Sequence, residues 1–276
     1  MPVNKTQISV IVGSIIVIVL LLFANTKLPK KEGAPAMSDH AGTKDVVNIN
    51  SLVENATNAL NKDQKQNFEK LEEAIKTSPD KQRSFENMVG MWDSIRQPAV
   101  AAFYMEQAAM ASSNEKNWKE AGDRYYAATR FVKEDQKPVL FNKALECFQK
   151  TLELNPDNVE AKISLASCYV EGSTDPMKGI GMLREIEKTD SNNINLQLNF
   201  AFFSEKSGQW DRAIARFKKV LKIKPDFIEA YLHLADAYEQ KGDKPKAIEN
   251  LEKYMALVDD ITIKTEIQNY IDKLKN

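Results

Sequence analysis

Between Ile194 and Ile261 the apolar positions fall at helical spacing, and the whole pattern then recurs as a block. Gly208 is followed by Ala213, Phe217, Val220 and Pro225; 34 residues on, Gly242 is followed by Ala247, Leu251, Tyr254 and Asp259 at the same offsets. Phe200, Ala201 and Ser204 precede the first glycine as Leu234, Ala235 and Tyr238 precede the second. Apolar residues three and four apart predict amphipathic helices. A glycine supplies the left-handed backbone that closes a helix, and the residue before Pro225 is biased away from α geometry. Each block therefore reads helix, turn, helix, turn. Ala213 and Ala247 fall where two helices come closest, and a larger side chain there would overpack at about 1–3 kcal/mol.

Upstream, Trp118, Ala121, Gly122 and Tyr125 are followed by Ala144, Phe148 and Pro156. With alanine in place of leucine, this run resembles the tetratricopeptide repeat (TPR) pattern W-x2-L-G-x2-Y, A-x3-F, P. The resemblance implies an all-α, TPR-type helical-hairpin solenoid whose concave groove, lined by the first helix of each unit, holds peptides or partner helices. The register gives TPR units at 159–193, 194–227 and 228–261, and a TPR-like repeat with a ten-residue insertion at 115–158. Residues 48–114 read as degenerate helical repeats, with a coiled helical lead-in as the alternative. Residues 262–276 read as a C-terminal capping helix with Ile263, Ile267, Tyr270, Ile271 and Leu274 on one face. The insertion, around Val132–Phe141, follows from spacing: Trp118 lies 26 residues before Ala144, whereas Tyr231 lies 16 before Ala247. Pro138 within it suits a helix's first turn.

The amino-terminal pattern is different. Ile8–Ala24 is a seventeen-residue apolar run broken by Ser9, Gly13 and Ser14. As a helix it would cover about 25 Å, slightly short of a hydrocarbon core of about 30 Å but within the usual range. A cleaved signal peptide would end in an A-x-A-like site, and Leu22-Phe23-Ala24 does not supply one. Residues 1–25 are therefore expected to be a retained, single-pass transmembrane anchor, and 26–47 a flexible tether. Lys5 and the amino terminus on one side nearly balance Lys27, Lys30 and Lys31 on the other. Counted literally, the positive-inside rule favours cytoplasmic repeats. The short amino-terminal tail instead resembles bacterial signal-anchored TPR proteins, which implies an inner-membrane protein with periplasmic repeats; the opposite orientation stays open.

Composition narrows the chemistry. The 276 residues are 43% hydrophobic and 28% charged with a net charge of −1, which gives no case for nucleic-acid binding. The two cysteines, Cys147 and Cys168, form no C-x-x-C and are expected as buried free thiols. His40 and His233 are the only histidines. No nucleophile, base and orienting group assemble by motif, and no glycine-rich phosphate loop occurs, so neither an enzyme, a cofactor nor a metal is expected.

The expected partner-binding groove consists of Tyr126, Ile163, Val170, Leu198, Asn199, Phe202, Glu205, Leu232, His233, Asp236 and Glu239. Chaperone-binding TPR domains grip a terminal carboxylate here with Lys, Asn and Arg. In this chain Lys119 and Asn199 fit that set, but Asp123 and Ser164 replace asparagines and His233 does not supply the cation. Acidic Glu160, Glu171, Glu205, Glu229, Asp236 and Glu239 face only Lys206, so the expected ligand is a protein segment with apolar anchors and basic flanks. Function then reads as a non-catalytic, membrane-tethered TPR adaptor. The alternative is a structural subunit of a homo-oligomer or a large cell-envelope complex.

Overall fold

The computed structural model of the chain describes residues 48–172 and 175–276. The anchor and tether expected over 1–47 lie outside the described residues. Those residues contain thirteen α-helices, one short 3-10 turn and no strand. In order the helices are α1 (Ile49–Asn58), α2 (Lys62–Thr77), α3 (Lys81–Ser94), α4 (Pro98–Ser112), α5 (Glu115–Ala128), α6 (Lys137–Leu154) and α7 (Val159–Gly172). They continue as α8 (Pro176–Thr189), α9 (Ile194–Lys206), α10 (Trp210–Ile223), α11 (Glu229–Gln240), α12 (Lys244–Leu257) and α13 (Ile261–Lys275). Among the described residues no helix is long and apolar enough to cross a membrane.

Short polar residues start many of these helices. Asn48, Asn61, Asp80, Asn114, Asp175 and Asn193 each accept a hydrogen bond from the backbone N–H three residues on, which satisfies a donor the first helical turn would leave orphaned. Proline occupies the first turn of α4, α6, α8 and α12, where its missing N–H costs nothing. Gly208 and Gly242 have φ of +70° and +78° and close α9 and α11 in the left-handed conformation that the repeat spacing demands.

The chain forms two compact units, one running to Ala230 and one from Tyr231 to Asn276. In the first, successive helices pack as neighbours from α2 to α8 and again between α9 and α10, while α1 lies on α4. Trp92, Tyr125 and Phe148 are wholly buried in one continuous core, which also holds both thiols, Cys147 and Cys168; these are free. The small positions of the repeat have a direct cause. A Cβ on Gly122 would lie 2.6 Å from the Phe148 ring, and the corresponding Ala166 and Ala201 are fully buried, as is Ala213. Glu106 is buried as well, but Tyr125 donates to it at 2.6 Å and Lys143 at 3.0 Å, so the carboxylate is not left without partners. In the second unit α13 packs on α12 and buries Ile263, Ile267, Ile271 and Leu274.

The extra residues near 132–141 are put to structural use. Helix α6 has 18 residues where α8 and α10 have 14, so residues 137–140 form an added first turn directly ahead of Phe141. That ring meets Tyr126 edge-on at 5.9 Å. It also sits so close to Gly172 that a Cβ there would approach it to 2.1 Å. Phe131, in the preceding connection, is 74% exposed.

Candidate partner-binding site

Two surfaces compete for the role, and the first-helix face of the larger unit is the one the sequence favours. Its polar residues are tied to one another. Lys119 pairs with Asp123 at 2.7 Å, and the Ser164 hydroxyl reaches the same carboxylate at 3.5 Å. Ser167 donates to Asn199 at 2.6 Å, and Asn199 donates to the Asn195 carbonyl at 2.8 Å. The Glu160 carboxylate accepts from Asn193 at 3.3 Å and Asn195 at 2.5 Å, while Glu171 accepts from Tyr126 at 2.9 Å and Lys206 at 3.3 Å. Much of the acidic rim is therefore engaged across neighbouring helices.

The apolar members of the expected groove also divide. Ile163 is 2% exposed and packs with Ala166, Leu183, Ile186, Leu196 and Phe200. It belongs to the core and cannot meet a partner, because α8 and α9 close over it. Val170 lines a different cleft, described below. Leu198, Asn199 and Glu205 are half-buried on α9. Phe202 is 40% exposed, with its ring edge-on to Phe217 at 5.7 Å. In the smaller unit, Leu232, His233, Asp236 and Glu239 are half-buried on α11. Tyr270 of α13 donates to Glu239 at 2.5 Å. Burial raises the Asp236 carboxyl above its ordinary value against the amide of Gln240 and the charge of His233.

The second surface is an open cleft of about 800 Å³ between α8 and α10, with α9 as its floor. Val170, Met177, Ile180, Phe200, Phe203 and Ala215 give it an apolar lining, and Met177 at its mouth is 67% exposed. Its charged lining is Arg184, Arg212, Arg216 and Lys219 against Glu187. Arg216 already has structural work: it pairs with Glu187, donates to the buried Gln197 at 2.8 Å and covers the Phe200 ring at 4.4 Å. Gln197 in turn donates to the Ser191 carbonyl at 2.8 Å. This hydrogen bonding from Arg216, opposed by partial burial, holds the Glu187 carboxyl below the usual carboxylate range. Arg184, Arg212 and Lys219 make no ion pair among the described residues, and Arg212 bonds only to the neutral amide of Gln209. The floor and walls are thus fixed by a satisfied network, and the cations at the edge are available.

The repeat pattern points to the first helices and leaves this cleft, walled by second helices, unmarked. A signal was present: Arg212, Arg216 and Lys219 recur at offsets of four and three on one side of α10, facing Met177, Ile180 and Arg184 at offsets of three and four on α8. No three His, Cys, Asp or Glu side chains among the described residues converge as metal ligands would.

Comparison with known proteins agrees with the repeat architecture. A TPR repeat family profile matches residues 206–242, and a tetratricopeptide repeat profile matches 228–257. Superkiller protein 3 of Schizosaccharomyces pombe is 27% identical over 107 residues, 36% of this chain but only 8% of that protein, so the chain spans a small part of that relative. The crystal structure of a tetratricopeptide repeat protein from Parabacteroides merdae shares 17% identity with a TM-score of 0.54, covering 82% of this chain and 86% of its own. That of YrrB, described as a TPR protein with an unusual peptide-binding site, shares 18% identity with a TM-score of 0.42, covering 72% and 97%. The 34-residue register, the buried small positions and the profile matches converge: the chain carries tetratricopeptide repeats.

Proposed function

We propose that this chain is a membrane-tethered, non-catalytic adaptor that holds a segment of a partner protein against its repeats. The apolar run Ile8–Ala24 supplies the membrane anchor and residues 26–47 the tether, and the repeats face the periplasm of a bacterial cell. The observation that carries the reading is the cleft between α8 and α10. Its volume of about 800 Å³ and its mixed apolar and cationic lining suit a few anchoring side chains and a charged surround, which is how most interfaces concentrate their affinity. Stacked helical hairpins favour the same reading, since their extended surfaces serve recognition.

The test places a photoreactive benzoylphenylalanine at Met177 in the full chain, irradiated in its native membrane. The adaptor reading expects a covalent adduct with a different polypeptide. An adduct with a second copy of this chain would favour the structural-subunit alternative, and no protein adduct at all would remove the adaptor reading together with the cleft that carries it. Orientation is checked by adding protease to spheroplasts: the repeats should be digested while cytoplasmic controls survive, and full protection would reverse the assignment.

A further inference from the structure

We infer that the cleft between α8 and α10 takes an acidic segment carrying a bulky apolar anchor; this rests on the adaptor reading and names its partner class. Helix α10 carries Arg212, Arg216, Lys218, Lys219 and Lys222 against Asp211 alone, and α8 adds Arg184 at the facing wall. Within the lining, Glu187 is the one acidic residue, and Arg216 already neutralises it. What remains at the rim is Arg184 and Arg212, which make no ion pair among the described residues, and Lys219, which acts on Glu187 only through space. Guanidinium groups pair carboxylates in a forked, two-bond geometry. A Glu or Asp on a bound segment would find such a fork on either wall.

The apolar lining then restricts the class. Phe203, Met177, Ile180 and Val170 surround a space that opens to solvent, and Met177 is 67% exposed with no side chain of the described residues covering it fully. A Phe, Leu or Met of the partner would remove that surface from water. Nucleic acid fits less well, because the cleft offers no series of open aromatic faces for successive bases: the Phe200 ring is 9% exposed and capped by Arg216 at 4.4 Å, which leaves Phe203 as the one uncapped ring of the lining. The chain's own first 47 residues are excluded by the same complementarity. They carry Lys5, Lys27, Lys30, Lys31 and Lys44 against Glu32, Asp39 and Asp45, so they are basic overall.

The inference also reverses the charge expected from the first helices. There three of the six carboxylates that suggested a basic ligand, Glu160, Glu171 and Glu239, are engaged by Tyr126, Lys206, Asn193, Asn195 and Tyr270. The cleft instead offers cations that make no ion pair among the described residues.

The test uses the full chain in mild detergent and fluorescence anisotropy with three labelled synthetic peptides. One has Phe and Leu anchors flanked by Glu and Asp, one has the same anchors flanked by Lys, and one keeps the acidic residues but replaces the anchors with Ser. The acidic anchored peptide should bind most tightly, and each of the others should be weaker by about tenfold. Arg184→Glu combined with Arg212→Glu should weaken the acidic peptide by about tenfold at low salt, less at high salt, with helicity and melting preserved. Met177→Ser provides an independent variant that leaves the charges intact and should weaken the two anchored peptides together. Equal or tighter binding of the Lys-flanked peptide overturns the inference, as does an unchanged affinity in the folded charge-reversal variant. Tighter binding of a labelled single-stranded oligonucleotide than of any peptide overturns it too. If none of the peptides binds while the photoprobe at Met177 still captures a different polypeptide, the acidic class fails and the adaptor reading stands. Loss of that capture is what would remove the adaptor reading itself.

Discussion

On the first-helix face Ser167, Asn199, Glu160 and Glu171 all find partners within this molecule, several of them supplied from residues more than thirty positions away. In the cleft between α8 and α10, Arg216, Glu187 and Gln197 form an equally closed group, yet Arg184, Arg212 and Lys219 at its edge make no ion pair among the described residues, and Arg212 bonds only to the neutral amide of Gln209. The same residue types therefore do different work in the two places. A polar side chain whose bonds are satisfied internally mainly stabilises, because a ligand must first displace those bonds to use it. A cation at the rim of an apolar cleft still has its pairing capacity. On the proposed reading, the first face mainly locks neighbouring hairpins together and the cleft receives the partner.

The largest expected effect sits under the cleft wall. A Cβ at Gly179 would lie 2.3 Å from the Ala166 carbonyl oxygen and 2.9 Å from the Val170 amide nitrogen. Both are backbone atoms that cannot swing aside, so α7 and α8 must separate. Gly179→Ala is expected to destabilise by about 1–3 kcal/mol, read from urea unfolding, and to weaken peptide binding because Val170 and Ile180 move with the wall. At Gly122 the obstacle is the Phe148 ring, which can shift, so Gly122→Ala should cost less than Gly179→Ala. A reversed order would break this account of the small positions.

The seam predicts a smaller and more selective response. Ser167→Ala removes the donor to Asn199 at a site where Ser167 is 3% exposed, and should cost about 0.5–1.5 kcal/mol. Thermal melting should register it, while the affinity of the acidic peptide should not change. Weakened binding in a folded Ser167→Ala chain would return the first-helix face to the role of ligand site.

The smallest effect concerns pH. The folded Glu187 carboxyl lies below its ordinary value, held there mainly by hydrogen bonding from Arg216. A depressed carboxylate contributes stability that is present above its unfolded value and is lost as pH falls through the folded one. Urea midpoints should therefore decline on acidification below the ordinary carboxylate range, and Glu187→Gln should flatten that part of the profile. The two cysteines bear on this measurement only as controls: burial raises both thiols well above the usual range, so neither titrates near neutral pH.

Much of the helical framework was legible in the sequence, because its determinants are local. The φ of Gly208 and Gly242, Pro138 in the first turn of α6 and the full burial of Ala213, Phe217 and Val220 all follow from spacing and backbone chemistry. The site was less legible. Ile163 sits at a position that periodicity alone places on the groove side, yet α8 and α9 enclose it. Glu171 looked like a free acid until Tyr126 and Lys206 were brought to it from 45 and 35 residues away. Whether a side chain is available depends on such distant neighbours, and helical period carries no record of them. The cleft was hidden for a related reason, since its two walls belong to second helices of different units and its floor to the first helix between them.

Hydrogen–deuterium exchange on the full chain, with and without the acidic anchored peptide, tests the central claim most directly. The account predicts added amide protection in α8 and α10, at the turns bearing Met177–Arg184 and Arg212–Lys219, with no change across α5. Protection gained along α5 and the first turns of α7, with α8 and α10 unaffected, would place the partner on the first-helix face and contradict it.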